Sequence, residues 1–309
     1  MDDFFCVKDN TWCIDTGHTL MGVYRLNDKD VIMMDTGTSF GLSYEIPDTV
    51  KLMNVLEREG LNVKAITATH GHLDHIGNND TLIKKYGCKV YMYGAEAYLC
   101  RNVEALRFQY SLVPYTGVIE KALNYMVTDV DYFIPPDAHE VVICGKRFGI
   151  VHTPGHSMSH ISLITEDNVM MVGDTLMTFD EMKKTKIPYS MNFQIDFESK
   201  RKLLGVNCDK YIISHKGVRE DLKYEVEANI QYLKDRADVV LSYVEDGMCF
   251  DDIAAAVINY MNIKIKSNRY TFFDIHAMIM PYVQYLEEVG KLETWYDKGY
   301  IRYKAAENE

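Results

Sequence analysis

Thr69-His70-Gly71-His72-Leu73-Asp74-His75-Ile76-Gly77 is the stretch on which the reading of this chain turns. It places four side chains able to bind a metal within six residues. Imidazole nitrogen and carboxylate oxygen suit zinc, and also iron or manganese. The β-prone run Ala65-Ile66-Thr67-Ala68-Thr69 leads into it, so the cluster is expected at the C-terminal end of a strand. His70 and His72 are two apart on extended chain, so both rings can lean toward one ion. Asp74 and His75 follow after the chain has turned and can reach a second. A single histidine here would carry no information; four ligand types in six positions do.

Working outward, further candidates stand at predicted strand ends. These are Asp35-Thr36-Gly37, His152-Thr153-Pro154-Gly155-His156-Ser157, Gly173-Asp174-Thr175 and Ser214-His215-Lys216-Gly217. Five of the ten histidines fall in the proposed site. H-x-H-x-D-H followed in order by these segments resembles the metallo-β-lactamase superfamily, over residues 1 to about 217. The resemblance implies an α/β fold, an αββα sandwich. It implies a first metal held by His70, His72 and His156, a second by Asp74, His75 and His215, and Asp174 bridging the two. The cofactors would be two divalent ions, zinc foremost, with iron or manganese open. The reaction implied is hydrolysis by a metal-bridging hydroxide. Asp74 would be the catalytic residue, holding the attacking water or passing a proton to the leaving group. No G-x-S-x-G nucleophile elbow competes with this reading.

Three activities stay open. The first is hydrolysis of a small-molecule ester, thioester or lactone. The second is phosphodiester or RNA cleavage on the same fold, and the third an iron-dependent oxidoreductase. Met177 stands where the superfamily's lactonases often carry tyrosine. Lys216-Gly217 stands where glyoxalase II enzymes usually carry Glu-Tyr, and His72 where flavodiiron proteins typically carry glutamate. A formal net charge of −12 disfavours nucleic acid as a partner, because phosphate-backbone binding needs a basic surface. The expected partner is a small-molecule substrate.

The surrounding chain reads as a catalytic domain over 1–217 with a helical, aromatic insertion at about 95–135. A helical, winged-helix-like domain over 218–309 follows, ending in a hairpin around Asp297-Lys298-Gly299. The last part is expected to act as a lid or dimer element, and a homodimer through it or the insertion is the expected assembly. The insertion's Tyr98, Phe108, Tyr110, Tyr115, Tyr125, Tyr132 and Phe133 either line the substrate pocket or pack in a core or interface. A helix is predicted from Ile46 to Glu59 and another from Ile76 to Tyr86. Asp35 is expected to tether a loop near the site, and His160 to make structural hydrogen bonds. His152 sits either beside the site or in ordinary packing, and Tyr189 is a candidate oxyanion donor. His18, His139 and His276 receive no role. Seven scattered cysteines without a C-x-x-C pair suggest reduced thiols. With no apolar run near roughly 20 residues and an acidic N-terminus where a secretory signal would be basic, a cytoplasmic protein is expected.

Overall fold

A computed structural model describes residues 3–39, 48–109, 117–265 and 269–307. The first sheet has seven strands in sequence order: β1 (Phe4–Lys8), β2 (Thr11–Asp15), β3 (Leu20–Arg25), β4 (Asp30–Met34), β5 (Asn62–Thr67), β6 (Lys89–Tyr93) and β7 (Tyr132–Ile134). The first four form an antiparallel meander, and β4 to β7 run parallel. Parallel neighbours need crossovers, and helices supply them. The helices are α1 (Asp48–Arg58), α2 (Leu73–Ile76), α3 (Asn79–Tyr86), α4 (Gly94–Leu99), α5 (Val103–Gln109) and α6 (Gly117–Met126).

The second sheet runs in the order β13-β12-β11-β10-β9-β8. Its strands are β8 (Glu140–Ile143), β9 (Lys146–His152), β10 (Ile161–Ile164), β11 (Val169–Met177), β12 (Lys210–His215) and β13 (Gly217–Arg219). Its one parallel pair, β11 with β12, is joined through α7 (Phe179–Met182) and α8 (Phe193–Leu203). Helices α9 (Lys223–Leu241), α10 (Phe250–Tyr260) and α11 (Arg269–Glu288) follow, and then the hairpin β14 (Leu292–Asp297) and β15 (Tyr300–Ala305).

Strand alternation builds the layers. Ile32 and Met34 face inward with Tyr24 and Ala65, against Phe148, Leu163, Met171 and Ile212 of the other sheet. Val31 and Met33 of the same strand face outward, onto Leu52, Val55 and Leu56 of α1. On the far side, Met170, Val172 and Ile213 pack on Leu203, Leu222 and Val226. The result is helix, sheet, sheet, helix, with the sheets buried on both faces. A further core joins Phe193 and Phe197 of α8 to Leu233, Val257, Tyr282 and Leu286 of the C-terminal helices, with Leu292 and Tyr303 of the hairpin. Elements before and after residue 217 therefore share one apolar cluster.

Several elements depart from the sequence expectation. The helix predicted over 76–86 is two helices, because the chain breaks at Gly77-Asn78. A Cβ on Gly77 would lie 2.5 Å from the Leu73 carbonyl oxygen and 2.9 Å from the Ser39 nitrogen. Asn78 Nδ2 meanwhile donates to the Thr36 carbonyl at 2.7 Å. Asp74 and His75 thus occupy a helical turn beginning at Leu73. The helix predicted from Ile46 is described from Asp48 on; 46 and 47 lie outside the described residues. Strand β11 continues past Val172 to Met177. Strands β7 and β13, three residues each, are too short to show an alternation. All seven cysteines are free thiols. Among the described residues, no helix is long and apolar enough to cross a membrane.

Candidate metal centre

The site lies along the strand ends of both sheets. β5 delivers the loop carrying His70 and His72, and α2 carries Asp74 and His75. The loop after β9 carries His156, β11 carries Asp174, and the end of β12 carries His215. Gly173 turns Asp174 toward this rim. Its φ is +65°, a conformation glycine adopts without penalty, and the β11–β12 register shifts there. A Cβ at 173 would come within 2.5 Å of His160 Nε2.

The structure brings all seven candidate ligands into two neighbouring clusters. Potential donor atoms of His70, His72 and His156 lie within 4.8 Å of one another, as do those of Asp74, His75, Asp174 and His215. Asp174 faces both. Its Oδ2 is 3.4 Å from His156 Nε2, while its Oδ1 is 3.2 Å from His75 Nε2 and 3.4 Å from His215 Nε2. Asp74 Oδ2 lies 3.4 Å from His215 Nε2 and 3.7 Å from His75 Nε2.

In the first cluster, His70 Nε2 is 2.9 Å and His156 Nε2 3.0 Å from the same atom, His72 Nδ1. Burial pushes all three rings toward the neutral form. His70 falls well below the ordinary imidazole range, His72 below it, and His156 to about 3. His72 Nδ1 carries either one hydrogen or one lone pair, so its two contacts compete for it. A shared cation is the arrangement that satisfies all three nitrogens.

The second cluster is charged. Burial works against the ionised forms there, and the mutual attractions override it. The carboxylates of Asp174 and Asp74 raise His75 well above the usual range and His215 to about 10. In return His75 and His215 hold Asp74 and Asp174 below the carboxylate range. His75 Nε2 and Asp174 Oδ1 are both buried, and among the described residues neither has a hydrogen-bond partner. An imidazole nitrogen and a carboxylate oxygen that meet at 3.2 Å without hydrogen-bond geometry fit a cation shared between them.

Surrounding groups fix the rings. Asp35, fully buried, accepts from His75 Nδ1 at 2.9 Å, leaving Nε2 toward the cluster. It also accepts from the Thr69 amide at 2.8 Å and the Thr69 hydroxyl at 3.0 Å. With the Thr69 hydrogen committed to Asp35, His70 Nδ1 donates to Thr69 Oγ1 at 3.1 Å, and His70 Nε2 keeps its lone pair. His160 accepts the Asp174 amide hydrogen at Nε2, 3.0 Å, so its Nδ1–H faces Thr153 at 2.9 Å and Thr175 at 3.2 Å. His152 lies apart from the clusters, between the Tyr93 hydroxyl and the Ala138 carbonyl.

Sequence reasoning missed Glu96. This α4 carboxylate is buried and accepts from the Gly71 amide and the Ser157 hydroxyl, tying the His72 loop to the His156 loop. Its only trace in the sequence is an acid between small apolar neighbours, Ala95 and Ala97. Of the insertion's aromatics, Tyr98, Phe108 and Tyr132 are exposed, and Tyr132 stacks on Tyr91 at 4.4 Å. None of the insertion's described aromatics lines the cavity beside the clusters; Tyr110 and Tyr115 lie outside the described residues. Tyr189 does line it, its ring 5.4 Å from His156 and 6.0 Å from His72.

The family model described as the metallo-beta-lactamase superfamily matches residues 14–215, from β2 to the last candidate ligand. The chain belongs to this superfamily. Hydroxyacylglutathione hydrolase GloC of Haemophilus influenzae is 28% identical over 185 residues, covering 58% of this chain and 80% of the relative. A hydroxyacylglutathione hydrolase of Rhodopseudomonas palustris is 26% identical over 146 residues, 47% of this chain and 46% of that one. The crystal structure of a metallo-beta-lactamase family protein from Thermus thermophilus superposes with a TM-score of 0.68 at 19% identity. That match covers 93% of both chains, so the likeness in fold includes most of the C-terminal helices. As a member of the superfamily, the chain is a metal-dependent hydrolase.

Proposed function

We propose that this superfamily member uses a dinuclear centre to hydrolyse a small-molecule thioester, ester or lactone. His70, His72 and His156 would hold one divalent ion, and Asp74, His75 and His215 the other, with Asp174 shared. The observation that carries the reading is the single Asp174 carboxylate turned to both clusters, one oxygen to each. Two zinc or other divalent ions held there would supply Lewis acidity toward a carbonyl oxygen and a water acidified to a pKa of about 7. Asp35, Thr69 and His160 hold the ligand nitrogens and the Asp174 backbone in place. Asp74 has the most exposed side chain of the candidate carboxylates, which supports a role for it in orienting the attacking water and handing its proton to the leaving group. Tyr189 borders the cavity in which a scissile carbonyl would sit.

A thioester heads the substrate classes because the relatives above are named as hydrolases of an acylglutathione. The acidic chain supports a small molecule over nucleic acid. We place the catalytic domain at 1–217 and the helical, winged-helix-like domain at 218–309, with α8 as the element through which the second packs on the first. Seven unpaired thiols support a cytoplasmic setting.

The test is a screen of the zinc- and manganese-loaded protein against thioesters, esters, lactones and phosphodiesters. Turnover of a thioester or ester is expected, and its loss in His72→Ala. Turnover of phosphodiesters alone, or oxygen consumption by an iron-loaded form, would overturn the assignment.

A further inference from the structure

Helix α11 runs one stripe of its surface along the segment that borders the clusters. Asp274, Met278 and Tyr282 stand one turn apart on it and share a face. The Tyr282 hydroxyl donates to the Pro188 carbonyl at 2.6 Å. Met278 lines, with Pro188 and Tyr189, a cavity of about 170 Å³ whose wall also carries His156, Asp174 and His215. Asp274 follows one turn further, about 6 Å along the helix axis. Burial first, then the charges of Asp274 and Glu96, raise the Tyr189 phenol to about 12. The Tyr189 ring in turn stands 5.4 Å from His156 and 6.0 Å from His72. One tyrosine is therefore common to the candidate ligands and to Asp274.

Asp274 is half-buried, so solvent still reaches it. Among the described residues it has no hydrogen-bond or ion-pair partner. Burial alone pushes its carboxyl upward, and no cation holds it down. Other withdrawn acids of this chain are committed. Glu96 accepts from Gly71 and Ser157, Asp196 pairs with Lys200, and Glu225 takes Arg219 and the Phe179 amide. A carboxylate that is partly desolvated yet unmet favours a cation brought to it, and an aromatic ring beside it adds to that preference. Both charges that act on the Tyr189 hydroxyl are negative.

We propose that Asp274 binds a cationic group of the substrate, and that the preferred ester or thioester carries an ammonium a few carbons from its carbonyl. The carbonyl would sit at the clusters and the ammonium between the Asp274 carboxylate and the Tyr189 ring. The connecting carbons would lie along Met278. This recognition rests on the hydrolase reading above and adds the charge of the substrate. It is opposite in sign to an acylglutathione, whose carboxylates outnumber its ammonium.

The probes are acyl esters of thiocholine and their uncharged isosteres, in which carbon replaces the nitrogen. A second pair, the trimethylammoniobutyryl ester of a neutral thiol and its carbon isostere, moves the cation to the acyl side. The first acyl group on glutathione supplies an anionic member. Hydrolysis is read as kcat/KM, and binding of choline and of trimethylammoniobutyrate, each against its carbon isostere, by calorimetry. In one pair the cation is expected to exceed its isostere by about tenfold in both readouts, and the pair that does so tells which side of the carbonyl reaches α11. Asp274→Asn should bring that ratio near one and melt no lower than the wild type, because burial disfavours the charge it removes. Asp274→Lys should shift the preference toward the glutathione ester. Equal handling of cation and isostere by the wild type in both pairs overturns the proposal. So does a preference that survives in Asp274→Asn, or a loss there that strikes isosteres and cations alike. Cation-selective binding that disappears in Asp274→Asn, with no ester or thioester hydrolysed, would uphold the cation site and sink the reaction class instead.

Discussion

The two halves of the centre sit side by side on the same strand rim yet solve opposite electrostatic problems. His70 is buried and His72 and His156 are half-buried, with the Asp174 carboxylate 3.4 Å from His156 alone, so desolvation wins, strips their protons and leaves nitrogens crowded at 2.9 to 3.0 Å. His75, buried, and His215, half-buried, sit with two carboxylates, so they keep their protons and the cluster neutralises itself. The first half is a socket of lone pairs; the second is an ion network that a metal would have to displace. The difference shows that burial alone does not set a ligand's readiness for metal. The neighbour that burial traps with it decides.

The comparison is broken most severely at the one residue both halves share. Asp174→Ala removes the carboxylate facing His156, His75 and His215. With the ligand assignment above, turnover should fall on the order of 10⁴-fold, and bound metal per chain, measured by elemental analysis after dialysis, should fall with it. A variant that keeps full metal content and activity would show that the two clusters do not share this ligand.

Next in size is the proton count of metal uptake. A nitrogen must lose its proton before it ligates. His156, lowered to about 3, is already neutral at pH 7, so filling the first cluster should release almost no protons. His215, raised to about 10, and His75, raised well above its ordinary range, must each give one up. Calorimetry in buffers of different ionisation enthalpy should find about one to two protons released with the second ion. Affinity for that ion should tighten by about tenfold per pH unit for each proton released, up to near pH 10 for His215. The metal-free protein carries the opposite sign. The His215 pKa is raised on folding, so its stabilisation is complete below about 6.5 and is lost as pH rises through about 10. Equal proton release for both ions would erase the contrast between the halves.

What could be read in advance follows the same division between local and assembled features. His70, His72, Asp74 and His75 are legible because one strand end and one turn deliver them together. His156, Asp174 and His215 are legible through short segments at strand ends, although Asp174 proved to lie within β11 after a bulge. The strands of the two sheets announce themselves as short apolar, β-prone runs down to about four residues, below which β7 and β13 read as loop. The cavity beside the clusters is of another kind. Its walls come from β11, α7, α8, α9 and α11, and no spacing along the chain says that Met177, Leu233 and Met278 will meet. The buried partnership of Asp196 and Lys200 reads in sequence as an ordinary i,i+4 pair on a solvated helix face; only the C-terminal helices lying over α8 make it internal.

Glu96 allows the finest test, because it touches one half only. It accepts from the Gly71 amide, between His70 and His72, and from the hydroxyl of Ser157, beside His156. All three candidate ligands of the first cluster thus hang on loops that this carboxylate ties together, while in the second cluster Asp35 orients His75. Burial pushes the Glu96 carboxyl upward, against its hydrogen bonds from Ser157 and the Gly71 and Ser159 amides; the carboxylate form is the one that can accept from all of them. Glu96→Ala should weaken the first ion by roughly tenfold, the low end for groups that orient metal ligands, and leave the proton release on binding the second ion unchanged. Glu96→Gln keeps one acceptor oxygen but turns an amide donor toward the other hydrogen-bond donor, so a loss of a few-fold is expected, between wild type and alanine. If alanine and glutamine weaken both ions alike, Glu96 supports the fold as a whole and the two halves are not separately braced.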